Sequence, residues 1–81
     1  MKLDQAIRKR LSELIKQKNT TLTALCLNSN LTPSTVFDFM NGKTKYPQII
    51  TLTKLCCGLE ITLSEFFNCK YFNDIKDEVY Q

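Results

Sequence analysis

The amino-acid sequence predicts an all-α fold of five helices, to which the C-terminal tail could add a sixth. Apolar residues recur at helical spacing along most of the chain, and residues that favour helix starts or stops separate these segments. The helices are expected at about residues 3–18, 21–29, 32–41, 48–59 and 62–67. A chain of 81 residues has room for one domain, which we place at residues 1–67, with residues 68–81 as a tail.

The composition is that of an ordinary globular protein, with 43% hydrophobic and 23% charged residues. The N-terminal segment MKLDQAIRKR interleaves charges with single apolar residues, so no signal peptide is predicted, and no apolar run reaches the length of a membrane span. We therefore expect a cytoplasmic protein with no membrane partner. Histidine is absent and the four cysteines lack C-x-x-C spacing, which disfavours a zinc finger. No metal or other cofactor is expected.

The net charge of +3 is unevenly distributed along the chain. Residues 1–47 carry eight basic and three acidic side chains, a net charge of +5, whereas residues 48–81 carry a net charge of −2. A basic half and an acidic half suit a protein that meets phosphates on one side and protein on the other.

Helix 1 is predicted from an apolar stripe at i, i+4, i+7 and i+8, opposite a basic face. The stripe consists of Ile7, Leu11, Leu14 and Ile15. On the basic face, we expect Arg8 and Lys9 to be mainly solvated. Lys16 and Lys18 lie close in sequence to the start of helix 2, and a DNA contact by one of them is weighed equally with solvation.

Helices 2 and 3 are short and are separated by a tight turn. Thr21 is placed to cap the start of helix 2, and the polar cluster at residues 28–30 ends it. Thr32 and Pro33 then start helix 3, and Gly42 stops it. Two short helices joined in this way form a helix-turn-helix unit, whose second helix enters the DNA major groove.

The loop Asn41-Gly42-Lys43-Thr44-Lys45 with Pro47 makes this pattern specific, because it resembles the loop by which lambdoid phage repressors clasp the DNA backbone. The segment 21–66 resembles the Xre family, the Cro and phage-repressor type of helix-turn-helix, nearly position by position. With helix 1 the resemblance covers about residues 3–67. It implies a lambda-repressor-like fold and a transcriptional regulator, expected to be a repressor. It also implies double-stranded DNA as the partner, bound by a homodimer at two half-sites about 34–36 Å apart.

The outward face of helix 3 holds the residues that correspond to the family's base-reading positions. These are Pro33, Ser34, Phe37 and Asp38. A carboxylate can accept a hydrogen bond from cytosine N4 and an aromatic ring can lie against thymine methyl groups, but the usual Arg-to-guanine pairing is missing. Alternatively, Phe37 packs partly against a neighbouring helix or a partner, and Asp38 is merely solvated.

A second set of residues is expected to hold DNA phosphates, together with the backbone amides of the loop. The set consists of Thr21, Thr23, Thr32, Asn41, Lys43, Thr44, Lys45 and Tyr46. The family commonly has Gln after the cap of helix 2, and Leu22 cannot make that phosphate bond. Backbone N–H groups at this helix start still can.

Other departures from the family pattern concern packing. An Arg–Glu ion pair that is frequent in the family aligns with Ile15 and Met40, which we expect to touch in the core. Gly58 falls where the family favours a small residue for close helix contact. Glu60 replaces the family's helix-ending glycine, so a strained or shifted end is expected for helix 4.

The tail carries an apolar i+4 stripe, Phe67, Tyr71, Ile75 and Val79, which needs a partner if the tail is helical. The tail could fold back on its own domain, pair with a second copy and so form the dimer interface, or remain frayed.

Two functions remain open from the sequence. The leading hypothesis is a sequence-specific DNA-binding regulator. The alternative is a protein-interaction module or antitoxin on the same fold, favoured by the lack of positive charge on helix 3. An enzyme is least expected, because the sequence offers no histidine, phosphate-binding glycine loop or clustered carboxylates.

Overall fold

The computed structural model describes residues 1–76, and every regular element in that part of the chain is helical. The elements are α1 Leu3–Gln17, α2 Leu22–Asn28, α3 Pro33–Met40, α4 Ile49–Gly58 and α5 Leu63–Phe67, followed by a 3-10 turn at Lys70–Phe72. The predicted five-helix fold is confirmed, and each helix ends within one residue of its predicted bounds. No helix in residues 1–76 is long and apolar enough to cross a membrane.

The apolar faces of all five helices meet in one core. Its buried members are Ile7, Leu11, Leu14, Leu25, Cys26, Val36, Phe39, Leu52, Leu55, Cys56, Leu59 and Phe66. Two of them are cysteines with free thiols, and burial raises the pKa of both thiols. They therefore pack as small apolar side chains.

Side-chain caps start two of the short helices as predicted. The Thr21 Oγ1 atom accepts the Ala24 N–H at 3.2 Å. At α5, Thr62 and Glu65 exchange hydrogen bonds of 3.0 and 2.9 Å, a complete capping box. Thr32 occupies the cap position of α3 but makes no side-chain cap bond. The start of the second helix of the helix-turn-helix therefore lacks this support.

Four helices end in the same way, with one residue in the left-handed conformation. These residues are Asn19, Asn30, Gly42 and Glu60, with φ of 55°, 57°, 83° and 62°. At the end of α4, the Glu60 N–H bonds the Cys57 carbonyl and the Ile61 N–H bonds the Cys56 carbonyl, each at 3.0 Å, which is a Schellman motif. The helix end is thus not shifted. Glu60 instead holds a backbone conformation that glycine adopts at lower free energy.

Gly58 lies where α2 and α4 pack closely, as predicted. A Cβ atom at this position would overlap the Ser29 Oγ atom and lie 2.9 Å from Leu25 Cδ1. The Ser29 hydroxyl is buried and has no hydrogen-bond partner among the described residues. The absence of a side chain at Gly58 therefore sets the distance between these helices.

Ile15 and Met40 replace the ion pair that is frequent in the family. Both side chains are half-buried and pack against the core, so neither position holds an exposed apolar residue. Their direct contact remains a prediction.

The described part of the tail folds back along α1, one of the three arrangements considered from the sequence. The Tyr71 hydroxyl donates to Glu13 Oε2 at 2.5 Å, and this hydrogen bond is the main reason that the pKa of Tyr71 is raised. The Lys9 Nζ atom lies 4.8 Å from the centre of the Tyr71 ring. Lys9 is exposed, as expected, and its charged end also lies over an aromatic ring of the tail.

The tail up to residue 76 contains a single 3-10 turn rather than the α-helix that the i+4 stripe suggests. The backbone is extended at Cys69, and the Phe72 ring then lies 4.8 Å from that of Phe67 and 6.1 Å from that of Phe66. Packing of Phe72 against α5 thus replaces a continuous helical face. The last residue of the predicted stripe, Val79, lies outside the described residues.

Candidate nucleic-acid interface

The outward face of α3 is available to a ligand. Val36 and Phe39 face the core and are buried. On the opposite side Ser34 is exposed, Pro33 and Asp38 are half-buried, and Phe37 has 37% of its surface in solvent. Phe37 is therefore partly covered by its own domain and partly open to a ligand, so base reading and partial packing both remain open for this ring.

The basic loop is hydrogen-bonded directly to the end of α3. The N–H groups of Lys43 and Thr44 both donate to the Asp38 carbonyl, at 2.9 and 3.1 Å, and the Gly42 N–H donates to the Phe39 carbonyl at 3.0 Å. The loop amides were expected to bind phosphate, and these three are poorly placed for that role because they already have internal partners. Phosphate contacts in this part of the loop therefore fall to side chains.

The loop side chains project into solvent as predicted. Residues 41–46 are all exposed, and they include both lysines of the loop. The Lys45 Nζ atom lies 5.6 Å from the centre of the Tyr46 ring, so the positive charge and the aromatic ring lie side by side. Asn41, before Lys43 in the sequence, and Thr44, after it, add exposed polar groups.

The starts of α2 and α3 supply the remaining candidate phosphate contacts. Thr21, Thr23 and Thr32 are all exposed. The Thr21 oxygen accepts the capping bond from Ala24, which leaves its hydroxyl hydrogen able to donate outward. Leu22, at the position where the family commonly has Gln, packs against the core. Where the family's Gln can bind a phosphate, Leu22 contributes apolar packing instead.

Charge is arranged in two parts across this surface. The face of α3 carries a single charge, the carboxylate of Asp38, and no side chain in residues 1–76 forms an ion pair or hydrogen bond with that carboxylate. The adjoining loop carries Lys43 and Lys45. A phosphate backbone is therefore attracted to the loop and not to the helix face.

A cavity of about 270 Å³ lies behind this surface, between α3, the loop and α4. Apolar core residues form its floor, and its lining includes Thr35, Asp38, Tyr46 and Gln48. Thr35 and Gln48 were not among the residues predicted from the sequence to form the site. Thr35 directly follows Ser34, which was predicted to read bases. Its position next to Ser34 was the available signal, but helical periodicity alone does not indicate it.

The contacts of Arg8 are the main feature of this surface that was not expected from the sequence. It was expected to be solvated, but its Nε atom donates to the Phe39 carbonyl and its Nη1 atom donates to Asp4, each at 2.8 Å. The guanidinium also lies 4.9 Å from the centre of the Phe39 ring. The i, i+4 spacing of Asp4 and Arg8 was the available signal for the ion pair. This hydrogen-bonded guanidinium holds the pKa of Asp4 below its usual value.

Two short helices around a tight turn, with an exposed second helix that leads into an exposed basic loop, define a helix-turn-helix protein. A sequence profile of the Cro/C1-type HTH DNA-binding domain matches residues 10–71, and the chain belongs to this family. Membership confirms the resemblance to the Xre type. It identifies the chain as a DNA-binding transcription regulator in the general sense of that family.

A solved structure supports the same assignment. The chain is similar to the protein described as "Crystal structure of the prophage Lp1 protein 11", with 33% sequence identity and a TM-score of 0.81. The match covers 93% of this chain and 100% of that one. No match was found among curated proteins.

Proposed function

We propose that the chain is a sequence-specific repressor that binds double-stranded DNA as a homodimer and reads the major groove with α3. The observation that supports this most strongly is the hydrogen-bonded connection between α3 and its loop. Because the Asp38 carbonyl holds the Lys43 and Thr44 amides, a phosphate held by the loop side chains fixes the position of α3 in the groove.

Affinity and specificity are assigned to different side chains. Lys43 and Lys45 neutralise phosphates and supply most of the binding free energy, with polar support from Asn41, Thr44 and Tyr46. The three threonines at positions 21, 23 and 32 hold a second stretch of backbone. Each is exposed, as such a role requires.

Base reading rests on a helix face without a cation. Phe37 offers an exposed ring to thymine methyl groups, and Asp38 offers an acceptor to cytosine N4. Ser34 can donate or accept, and Pro33 adds apolar contact. We therefore infer half-sites in which thymine and cytosine face α3, without the guanine contact that arginine usually makes.

The dimer interface is assigned to the apolar surface shared by α4 and α5. Ile49 and Ile50 are 76% and 58% exposed, and Phe67 is 39% exposed. A groove between the two helices is lined by Ile49, Leu52, Leu63 and Phe67. Because the described part of the tail packs on its own domain, this surface is a better candidate than the tail. A self-complementary contact here would relate two copies by a twofold axis.

A protein-interaction module on the same fold is the second candidate. The exposed Phe37 and the neutral-to-acidic face of α3 favour it, because both features also suit a protein partner. In either case residues 1–67 are proposed as the functional domain. The tail up to residue 76 then serves to stabilise the domain by packing along α1 and α5.

Selection from random duplex DNA tests the proposed function. The expected result is a shared motif made of two related half-sites, with centres about 10 base pairs apart, because a dimer of this fold places its two recognition helices one helical turn apart. Titration of the selected duplex with salt should give a linear fall of log K against log salt. Recovery of unrelated sequences would contradict specific DNA binding and favour the interaction module.

A further inference from the structure

Two arginines of α1 each bond backbone carbonyls at the C-terminal end of another helix. The Arg8 Nε atom donates to the Phe39 carbonyl near the end of α3, at 2.8 Å. Arg10 donates from Nε to the Phe66 carbonyl and from Nη2 to the Glu65 carbonyl, both at 2.8 Å, near the end of α5. The last carbonyls of a helix lack partners within it, so each guanidinium acts as a side-chain cap.

Arg8 is held in place from several sides. Its Nη1 atom forms an ion pair of 2.8 Å with Asp4, and the two side chains are only 21% and 13% exposed. The guanidinium lies against the Phe39 ring, 4.9 Å from its centre. A planar group with this many contacts has little freedom, so it fixes the position of the carbonyl that it bonds.

The two ends of α3 differ in their side-chain support. At the start, the cap residue Thr32 makes no side-chain cap bond. At the other end, the Phe39 carbonyl accepts both the Arg8 guanidinium and the Gly42 N–H that begins the loop. One carbonyl oxygen thus joins α1, the end of α3 and the loop.

We infer that Arg8 is a positioning residue for DNA recognition, which sets the angle of α3 and the start of the loop from the side away from the bases. This inference rests on the proposed function. Base contacts require side chains in a narrow range of positions, whereas mobile lysines tolerate a small rotation of the helix. Loss of Arg8 should therefore lower specific binding more than non-specific binding.

The matched pair Arg8→Met and Arg10→Met tests this role in the full chain. Each variant loses one positive charge and one set of hydrogen bonds to a helix end, and keeps an unbranched side chain. The probes are the wild-type selected duplex and a scrambled duplex of the same length, at a temperature where both variants are folded by circular dichroism. We expect Arg8→Met to lower the ratio of specific to non-specific affinity at least tenfold, and Arg10→Met to leave the ratio within twofold of wild type.

Two further variants separate the position of the guanidinium from its charge. Arg8→Lys keeps the charge but not the planar group, so it should recover only part of the ratio. Asp4→Asn removes the ion pair that orients Arg8 and should also lower the ratio. The slope of log K against log salt should match wild type in Arg8→Met. A slope reduced by about one would mean that Arg8 touches a phosphate, which overturns the positioning role.

Equal ratios in Arg8→Met and wild type would also overturn the inference. If wild type itself does not discriminate between the duplexes, the proposed function fails, and amide hydrogen exchange without DNA then decides the positioning role. The Lys43 and Thr44 amides, which bond the end of α3, should exchange at least tenfold faster in Arg8→Met than in Arg10→Met. Equal exchange in the two variants would show that Arg8 does not hold α3.

Discussion

Substitution of Gly58 by alanine is expected to destabilise the fold by roughly 1–3 kcal/mol, the usual cost of inserting a methyl group into a filled space. The new Cβ would overlap the Ser29 Oγ atom and press on Leu25 Cδ1 at 2.9 Å. Alanine is a better helix former than glycine by about 1 kcal/mol, and this gain offsets part of the packing cost in the measured free energy. Urea or thermal denaturation gives the free energy of unfolding.

Ser29→Ala provides the matched control for this substitution. The Ser29 hydroxyl is buried without a partner among the described residues, so its removal alone should leave stability unchanged or raise it. It also removes the atom that the new Cβ would overlap. The double variant should therefore recover most of the stability lost in Gly58→Ala. Additive free energies in this cycle would contradict the close approach of α2 and α4.

Replacement of both Lys43 and Lys45 by alanine is expected to have the largest effect on DNA affinity. Both side chains are exposed on the loop that is bonded to α3, and loss of two phosphate contacts should lower the salt slope by about two. At physiological salt this corresponds to a loss of affinity on the order of thirtyfold. The loss should be similar for the selected and scrambled duplexes, because phosphate contacts carry no sequence information.

Lys54→Ala with Lys70→Ala is the control for net charge. Both lysines are exposed and lie outside the proposed interface, so the pair removes the same two charges from elsewhere on the surface. We expect its salt slope to stay within half a unit of wild type. Equal losses in the two double variants would mean that total charge, and not the loop, attracts the DNA.

The fold could be predicted from the sequence because its determinants are local. The stripe that includes Leu11 and Leu14 specifies α1, and Thr62 with Glu65 specifies the start of α5 within four residues of chain. The left-handed residue at Glu60 was also foreseen as a point of strain. It follows from the position of the helix end alone.

The contacts that sequence analysis missed join residues that are distant along the chain. Arg8 reaches a carbonyl 31 positions away, and Tyr71 reaches Glu13 across 58 positions. The helical spacing of apolar residues gives no information about partners so far apart in the sequence. The loop amides are a different case, because Lys43 and Thr44 lie only a few positions after Asp38, and the left-handed Gly42 at the end of α3 was the available signal for these bonds. The helical stripe of the tail was outweighed by packing of Phe72 on the aromatic rings of α5.

The central claim is that α3 reads base sequence, and the most direct test is to repeat the random-duplex selection with Phe37→Ala and with Asp38→Ala. Each variant should relax the preference at one or two base pairs per half-site, by about 1–3 kcal/mol, with little change in the salt slope. Asp38→Ala should also raise non-specific affinity, because it removes a negative charge near phosphates. If both variants select the same motif as wild type with the same strength, α3 is not the reader and the account of base recognition is wrong.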